Sequence, residues 1–433
     1  MHILEDFKSF LDHSPTSFHA AEQLAERLAV QDFQPLDEKE AWHLEKGKRY
    51  FVMRGGSLCA FSLPAIGLEK ATIIGSHTDS PSLKIKPLPE ITNHNMTLVG
   101  VEVYGSPLLS SWLNRDLAIA GRVVVGDAQD RVEEKLVLLD DAPLTIPQLA
   151  IHLDRDVNEK GLVLNKQEHL VPLAGLHKEK PGNSPYLESL LKRHIQFKTL
   201  YSFDLFLAPL EVARFLGSDG ELLASCRLDN LASAHACVTA MGIAAGTAAG
   251  PGSESHKTSL SMAMFWDHEE IGSRTTDGAA SPFLHDVLRR IGRVYSLDEE
   301  TFSQLKANAL FVSVDAAHAF NPNYKQKYEP HHLPLLGHGI VLKYNADQKY
   351  ASTAPTAARI AQAAKNLNLS YQSYVTRSDL TCGSTVGPVV AYQMGIPTVD
   401  IGIPLLSMHS IREIIACHDH LDMCTLLTGL LKG

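Results

Sequence analysis

Short apolar runs alternate with segments of helical periodicity through the second half of the 433-residue chain. The runs are Leu260–Trp266, Leu310–Val314 and Thr398–Ile403, and the helical segments are Leu231–Ala245, Ser281–Ile291 and Ala354–Leu367. A helix between two strands returns the chain to the end of the sheet where the first strand began, so successive strands pair in parallel. The pattern therefore predicts an α/β fold: an open, mostly parallel sheet with helices on both faces.

A stretch of different texture interrupts this domain. Thr97–Val103, Ala118–Val125 and Lys135–Leu139 are short β-branched runs separated by Gly, Asp and Asn, without helical segments between them. Residues before this stretch give two helices followed by strands. We therefore predict an α/β domain in two parts, residues 1–87 and 225–433, around an inserted β-rich domain, residues 88–224.

Composition excludes several classes of function. The net charge is −10 and no long Lys/Arg block occurs, which argues against a nucleic-acid partner. Charged residues near the N-terminus argue against a signal peptide, and no segment is apolar enough to cross a membrane. The six cysteines are scattered without a C-x-x-C pair, as in reduced intracellular proteins. We expect a cytoplasmic protein that binds neither nucleic acid nor membranes.

Metal-competent side chains follow the strands of the predicted sheet. In open α/β sheets, functional residues lie just beyond the carboxyl ends of the strands. The side chains at these positions, with one that precedes a helix, are His77, Glu269, Glu270, Asp315, His409 and Asp229. Two imidazoles with several carboxylates suit zinc, manganese or cobalt, and contain too much nitrogen for a dedicated calcium site.

Each of these residues also has an ordinary structural interpretation. Asp229 could cap the helix that follows it, and Asp315 could be a turn residue. Glu269 and Glu270 could begin a helix, where acidic side chains favour the dipole. None of these interpretations explains why five of the six residues follow the ends of predicted strands. Their common placement favours a metal site.

Two local patterns suggest how such a site would work. In the sequence "HTD", Asp79 lies two residues from His77, and alternate residues of an extended segment point the same way. A carboxylate behind a metal-binding histidine fixes its tautomer. Of the adjacent Glu269 and Glu270, one would bind metal while the other accepts a proton from the attacking water.

Other hydrolytic and nucleotide-binding motifs are absent from the sequence. It contains no G-x-S-x-G, no Walker A loop and no H-E-x-x-H, because residue 272 is glycine. The segment "TCGSTVG", residues 381–387, is rich in glycine but lacks the lysine of a phosphate loop. We interpret it as a backbone turn that lines a substrate pocket.

Several motifs of the chain resemble those of one known family. They are "GSHTDSPSLKIKP", "RLDNLAS", "DHEEIGS", "SVDAAHAFNPNY", "DLTCGSTVGP" and "MHSIREI", in this order. From Phe18 to near the C-terminus the chain resembles the aspartyl aminopeptidases, di-zinc exopeptidases that remove N-terminal Asp or Glu from peptides. The resemblance implies two divalent metal ions per subunit, zinc first, with manganese or cobalt as alternatives.

The resemblance also implies a role for each site residue. Asp229 would bridge two metals, with His77 and Asp315 completing one site and Glu270 and His409 the other. Asp79 would support His77, and Glu269 would be the general base. Lys343 and His318 would lie near the acidic side chain of the substrate.

Finally, the resemblance implies a homo-oligomer. His152 matches a histidine that the family supplies from a neighbouring subunit, and the inserted domain would dimerise within a dodecamer built from dimers.

Two alternatives remain on sequence grounds, since a scaffold alone does not determine the substrate. One is a broad-specificity aminopeptidase or deacylase. The other is a non-catalytic shell or cargo protein with the same fold.

Overall fold

The computed structural model describes residues 2–176, 185–247 and 258–433 and divides the chain into two compact units. Unit 1 comprises Met1–Asp79, Ala213–Met408 and Glu413–Gly433, and unit 2 comprises Ser80–Val212 and His409–Arg412. The helices of the described residues are α1 (His2–Asp12), α2 (Ser17–Val30), α3 (Val157–Lys160), α4 (Tyr186–His194), α5 (Leu228–Thr247), α6 (Phe283–Val294), α7 (Glu299–Asn308), α8 (Ala354–Asn366), α9 (Val386–Met394) and α10 (Cys417–Lys432).

The strands follow the same chain order. They are β1 (Gln34–Leu36), β2 (Arg49–Arg54), β3 (Ser57–Ser62), β4 (Lys70–His77), β5 (Ser82–Asn93), β6 (Met96–Tyr104), β7 (Leu117–Gly126), β8 (Val132–Leu144), β9 (Leu173–Leu176), β10 (Thr199–Pro209), β11 (Arg214–Leu216), β12 (Leu222–Ser225), β13 (Ser259–Trp266), β14 (Leu310–Val314), β15 (Ala317–His318), β16 (Ile340–Lys343), β17 (Tyr371–Tyr374), β18 (Thr398–Gly402), β19 (Pro404–Leu406) and β20 (Glu413–Ala416).

The main sheet of unit 1 has the order β1-β2-β3-β13-β4-β14-β18-β16-β17 within the described chain. At its centre β13, β4, β14 and β18 are parallel, as the alternation of strands and helices predicts. Antiparallel pairs flank this centre on both sides. Beside one of these pairs, β2 and β3 form an antiparallel hairpin, whose two-residue link is Gly55-Gly56. Gly55 has a φ of 55°, a conformation that glycine adopts without strain. The sheet is therefore mixed, with a parallel core.

Helices cover both faces of this sheet. Ala263 and Phe265 of β13 pack in one apolar cluster with α1, α2, α5, α8 and α10. Met262 and Met264 of the same strand pack in a second cluster with α6, α7 and α9. Successive residues of a strand point to opposite faces, so the two clusters lie on opposite sides of the sheet. The prediction of helices on both faces is correct.

Unit 1 contains a second, smaller sheet with the order β11-β12-β20-β19-β15. Unit 2 contains a six-stranded sheet with the order β8-β7-β10-β5-β6-β9, in which neighbouring strands are antiparallel. Its apolar core includes Leu83, Val123 and Leu205. None of the described helices is both long and apolar enough to cross a bilayer.

The limits of unit 2 differ from those of the predicted inserted domain. The unit begins at Ser80 rather than at residue 88, because β5 starts at Ser82 and pairs with β6 from its first residue. Its first segment ends at Val212 rather than at residue 224, because β11 and β12 pair with each other and β12 pairs with β20 in unit 1.

Candidate metal centre

Neighbouring strands of the main sheet bring several candidate ligands to one edge. In the pairing of β4 with β13, His77 lies opposite Trp266, so Glu269 and Glu270 emerge three and four residues beyond that pair. Strand β14 pairs with the other side of β4, and Asp315 follows its last residue. The three strands are parallel, so their carboxyl ends meet.

His77 lies at the centre of this group. Its ring is buried, with Nε2 at 3.5 Å from Asp229 Oδ1 and 3.6 Å from Asp315 Oδ1. Both distances exceed that of a good hydrogen bond. They approach the separation of about 3.4 Å between neighbouring ligand atoms on a tetrahedral zinc with bonds of ~2.1 Å. The donor set therefore fits a zinc ion between these side chains.

Glu270 joins this arrangement. His77, Asp229 and Glu270 each offer a ligand atom, and these atoms lie within 4.8 Å of one another. His77 and Asp229 are buried, whereas Glu270 is half-buried. One nitrogen and two carboxylate ligands match the mixed donor sets of zinc enzymes. The structure thus brings together residues that lie far apart in the sequence.

The charges of the group favour a bound cation. Burial opposes protonation of His77, yet the carboxylates of Asp229, Asp315 and Asp79 outweigh it and raise the pKa of His77 well above its ordinary value. Burial raises the pKa of Glu269 to about 8, and neighbouring carboxylates add to this against the opposing effect of the His77 ring. Neighbouring carboxylates contribute to both shifts, and this excess of negative charge attracts protons or metal ions.

Asp79 has more contacts than the sequence predicts. His77 Nδ1 lies 3.0 Å from the backbone carbonyl oxygen of Asp79 and 3.3 Å from its Oδ1, so both oxygens can orient the ring. In addition, its two carboxylate oxygens accept hydrogen bonds of 3.1 Å from the backbone N–H groups of Glu269 and Glu270. These two residues begin the 3-10 turn Glu269–Ile271. Asp79 therefore links the histidine of β4 to the glutamates after β13.

Asp229 is held by a contact that the sequence analysis missed. Its backbone N–H donates to Glu413 Oε2 at 3.0 Å, and the Glu413 side chain is buried. Asn230 follows through a cis peptide bond, and its Nδ2 donates to the carbonyl oxygen of Val314 at 2.9 Å. Glu413 lies in the "MHSIREI" motif, and an acidic residue beside the apolar "IIA" run was its only sequence signal.

Lys343 is buried beside Asp315. Its Nζ donates to the carbonyl oxygens of Asp315 at 3.2 Å and Ala316 at 3.1 Å, and lies 3.8 Å from Asp315 Oδ2. Its ammonium group is also 5.0 Å from the centre of the Tyr350 ring. The cation is therefore held against the segment that carries one of the candidate ligands.

His318 is exposed and lies in the same part of unit 1. Its ring meets that of Tyr374 edge to face at 6.0 Å between centroids. The two residues line a cavity of ≈ 210 Å³ together with Lys327, Arg377 and Gly383. Gly383 belongs to the segment 381–387, which the sequence analysis interprets as part of a substrate pocket.

His409 and His152 belong to unit 2. His409 Nδ1 lies 2.9 Å from the carbonyl oxygen of Ser106, which can accept its proton and leave Nε2 as the basic nitrogen. His152 is exposed in a turn between Ile151 and Leu153, two apolar side chains that are also exposed. The roles assigned to both histidines stay predictions.

A second group of potential ligands has a structural explanation. Ligand atoms of Asp267, His268 and Asp277 also lie within 4.8 Å of one another. However, Asp267 accepts hydrogen bonds of 2.9 Å from Ser17 Oγ and from the backbone N–H of His268. His268 Nδ1 lies 2.8 Å from Thr275 Oγ1. These contacts satisfy the turn after β13 without a metal ion.

Comparison with known proteins identifies similar chains. A family model described as "Aminopeptidase I zinc metalloprotease (M18)" matches residues 10–430. A "Probable M18 family aminopeptidase 2" from Streptomyces avermitilis is 40% identical over 434 residues, which cover 99% of this chain and 97% of that protein. One of the same name from Pseudomonas aeruginosa is 40% identical over 424 residues, covering 95% and 93%.

Solved structures have the same fold. A chain in the cryo-EM structure of the Ape4 and Nbr1 complex is 35% identical, with a TM-score of 0.94 over 99% of this chain and 85% of that one. A chain of the mApe1 dodecamer of S. cerevisiae is 27% identical, with a TM-score of 0.84 over 99% and 95%. The mixed α/β architecture is thus shared with these chains.

Proposed function

Because the chain belongs to the M18 family of zinc aminopeptidases, we propose that it removes N-terminal Asp or Glu from peptides by a two-metal mechanism. One observation carries the mechanism. His77, Asp229 and Glu270 offer ligand atoms within 4.8 Å of one another, directly beside Glu269. A metalloaminopeptidase needs this combination of ligands and a proton acceptor. A non-catalytic shell or cargo protein would not.

Two divalent cations, zinc first with manganese or cobalt as alternatives, would polarise the scissile carbonyl group and lower the pKa of water. Asp229 would bridge them, with His77 and Asp315 holding one ion and Glu270 and His409 the other. The separations of 3.5 and 3.6 Å around His77 Nε2 support the first of these sets. The assignment of His409 rests on the family resemblance.

The residues of the chain would move the proton. Glu269 accepts it from the attacking water and delivers it to the departing amine. Its position supports this role, because Asp79 holds the backbone N–H groups of both Glu269 and Glu270 and so fixes the turn that carries them.

The preference for acidic N-termini would come from positive charge near the substrate side chain. A carboxylate that leaves water needs a cationic partner. The buried ammonium group of Lys343 supports this. So do Lys327, Arg377 and His318, which outnumber the acidic Glu329 among the residues that line one cavity. A cavity of ≈ 210 Å³ is large enough for an Asp or Glu side chain.

We further propose a homo-oligomer, a dodecamer built from dimers, in which His152 completes the active site of a neighbouring subunit. The exposed apolar side chains of Leu149, Ile151 and Leu153 support an interface around this histidine. The mApe1 chain of similar fold forms a dodecamer. The cytoplasmic location expected from the cysteines is part of the same proposal.

The test is a panel of aminoacyl p-nitroanilides with Asp, Glu, Ala and Leu. We expect the highest kcat/KM for the acidic substrates, loss of activity on chelation, and recovery with zinc, manganese or cobalt. Equal kcat/KM for all four would favour the broad-specificity alternative. Full turnover by a chelated sample that is verified to contain no metal would contradict the metal mechanism.

A further inference from the structure

Asp400 is a buried carboxylate in the middle of the main sheet. It belongs to β18, between Val399 and Ile401, and its side chain is 0% exposed. A carboxylate without partners in such a place would be strongly destabilising. Its partners therefore indicate why an acid is present there.

Both oxygens of Asp400 accept hydrogen bonds. Thr385 Oγ1 donates to Oδ1 at 2.5 Å, and the backbone N–H of Ala351 donates to Oδ2 at 2.6 Å. Thr385 Oγ1 itself accepts from the N–H of Gly387 at 3.2 Å, which leaves its own proton for Asp400. Donors at both oxygens stabilise the ionised form of the carboxyl group.

These contacts draw the segment 381–387 tightly against β18. A Cβ atom on Gly387 would lie 2.4 Å from Asp400 Oδ2 and 2.6 Å from Oδ1, so only glycine allows this approach. Thr381 and Gly383 of the same segment line the cavity that contains His318. Asp400 thus fixes one end of a segment that forms a wall of that cavity.

The counter-charge of Asp400 is Lys343. Strands β16 and β18 are antiparallel, with Val341 opposite Gly402 and Leu342 opposite Ile401. Extended by one residue beyond Leu342, this register places Lys343 opposite Asp400, and residues directly opposite have Cβ atoms about 5 Å apart. Burial raises the pKa of Asp400, and the Lys343 ammonium opposes the shift.

Asp400 is therefore linked to two further parts of unit 1, electrostatically to Lys343 and by a hydrogen bond to Ala351. Lys343 donates to the carbonyl oxygens of Asp315 and Ala316, and Tyr350, whose ring lies 5.0 Å from the ammonium group, precedes Ala351 directly. A shift of the Asp400 side chain would change the position of the Lys343 cation and of the segment 381–387 together.

We propose that Asp400 is a positioning residue that sets the preference for acidic N-termini, by holding Lys343 and the segment 381–387 in their substrate-binding arrangement; this rests on the proposed function. Asp400 need not touch the substrate. It acts through the charge of Lys343 and through the hydroxyl group of Thr385.

The first test is Asp400→Asn, which keeps the shape and removes the charge. The ratio of kcat/KM for Glu p-nitroanilide to that for Leu p-nitroanilide should fall by roughly tenfold to a hundredfold, as expected for a displaced binding group. In a Lys343→Met background the same substitution should leave the ratio nearly unchanged, because the two residues act as one unit.

Two further variants separate positioning from general stability. Thr385→Val keeps the charge of Asp400 and removes one tether, so it should lower the same ratio several-fold and speed hydrogen exchange at Gly387. Asp419→Asn is the matched control. Asp419 is also buried and accepts hydrogen bonds of 2.8 Å from two backbone N–H groups, those of Gly337 and Gly339. It should lower stability and leave the ratio unchanged.

The outcomes are distinct. An unchanged ratio in both Asp400→Asn and Thr385→Val, with an acidic preference in the wild type, overturns this inference and leaves the proposed function standing. If Asp400→Asn does not fold, Thr385→Val decides alone. A wild type that lacks the acidic preference overturns the proposed specificity, and the inference with it.

Discussion

One charged group in unit 2 and one in unit 1 differ in how their negative charge is balanced. In unit 2, Asp204 is shared by two cations, with Lys84 Nζ at 2.8 Å and Arg122 Nε at 2.9 Å. Burial opposes ionisation of Asp204, but these two cations lower its pKa. In unit 1 several carboxylates surround the single imidazole of His77, and the pKa of Glu269 rises to about 8. In unit 2 two cations neutralise one carboxylate, whereas in unit 1 the carboxylates around His77 outnumber the neighbouring cations, His77 and Lys343.

The sheets that carry these groups also differ in how much of their surface is buried. Strand β13 of unit 1 is buried along almost its whole length, since helices cover both faces. In β8 of unit 2, the buried Val137 and Leu139 alternate with the exposed Leu138 and Glu134. Charges at the end of a doubly covered sheet lose their hydration and need a partner, whereas those on a solvated face do not. Burial thus distinguishes the candidate metal site of unit 1 from the ion pairs around Asp204 in unit 2.

The largest expected effect is that of removing Asp229. Asp229→Ala should release both metal ions and lower kcat/KM by ~10³-fold or more, since two-metal sites supply several kcal/mol of transition-state stabilisation. Metal content by mass spectrometry, together with turnover, measures this. Asp204→Ala in unit 2 is the matched control and should keep its metal. Equal metal loss in both variants would contradict the contrast between the units.

A second pair of variants separates the two glutamates. Glu269→Gln removes only the proton acceptor, so kcat should fall by ~10²–10⁴-fold while the metal content persists. Glu270→Gln should instead weaken metal binding, because an amide is a poorer ligand than a carboxylate. Titration of each variant with zinc, followed by calorimetry and by turnover, provides the measurement. The reverse result would exchange the two roles.

A third prediction would weaken the contrast between the two units, because it assigns a catalytic residue to unit 2. If His152 stabilises the oxyanion in a neighbouring subunit, His152→Ala should fold and bind metal normally yet lose ~10²–10³-fold in kcat. Mixing it with Glu269→Gln under conditions of subunit exchange should restore part of the activity, through sites with an intact Glu269 and an intact His152. Exchange without recovery would exclude a role across subunits.

The smallest expected effect concerns buried histidines of unit 1 outside the metal centre. His420 Nε2 lies 3.0 Å from His235 Nδ1, and His235 Nε2 lies 3.0 Å from Asp6 Oδ2. Burial lowers the pKa of both histidines. The folded protein therefore keeps them neutral at pH values where the unfolded chain binds protons. The free energy of unfolding should be constant with respect to these groups above about pH 6.5 and should fall below it, because the unfolded chain gains protons there that the buried histidines do not bind.

Substitution of one partner tests this linkage. His420→Phe removes one of the two titrating groups, so its urea stability should decrease less between about pH 7 and about pH 5 than that of the wild type. The exposed His418 of the same helix is the control, and His418→Phe should keep the wild-type slope. Equal slopes in all three proteins would mean that the buried pair does not govern acid stability.

The central strands were predictable because their burial is nearly continuous. Strand β14 is predicted and observed at Leu310–Val314, and β18 is predicted to end at Ile403 and ends at Gly402. The order of the outer strands was not predictable. The pairing of β3 with β13 joins Ser62 to Ser261, far along the chain, and depends on tertiary packing rather than on local pattern.

Most of the candidate ligands were predictable for a related reason, because they directly follow strands that the sequence indicates. Asp229, which precedes a helix, is the exception. Glu413 and Asp400 were not found, because their importance lies in the donors that surround them. Asp400 accepts from Thr385 and Ala351, and Glu413 from the backbone of Asp229. An acid between apolar neighbours, as in "TVDIG", is the one signal that could have identified Asp400.

The hydrogen bond between Asp79 and the N–H of Glu269 joins residues 190 positions apart. Most of the intervening chain is residues 80–212, one compact unit. The entropy of closing a loop grows only with the logarithm of its length, so closing 190 residues rather than roughly 60 costs about 1 kcal/mol more. The contact between β4 and β13 therefore leaves the length of the intervening chain almost unconstrained, and a whole domain can be accommodated between the two halves of a metal site.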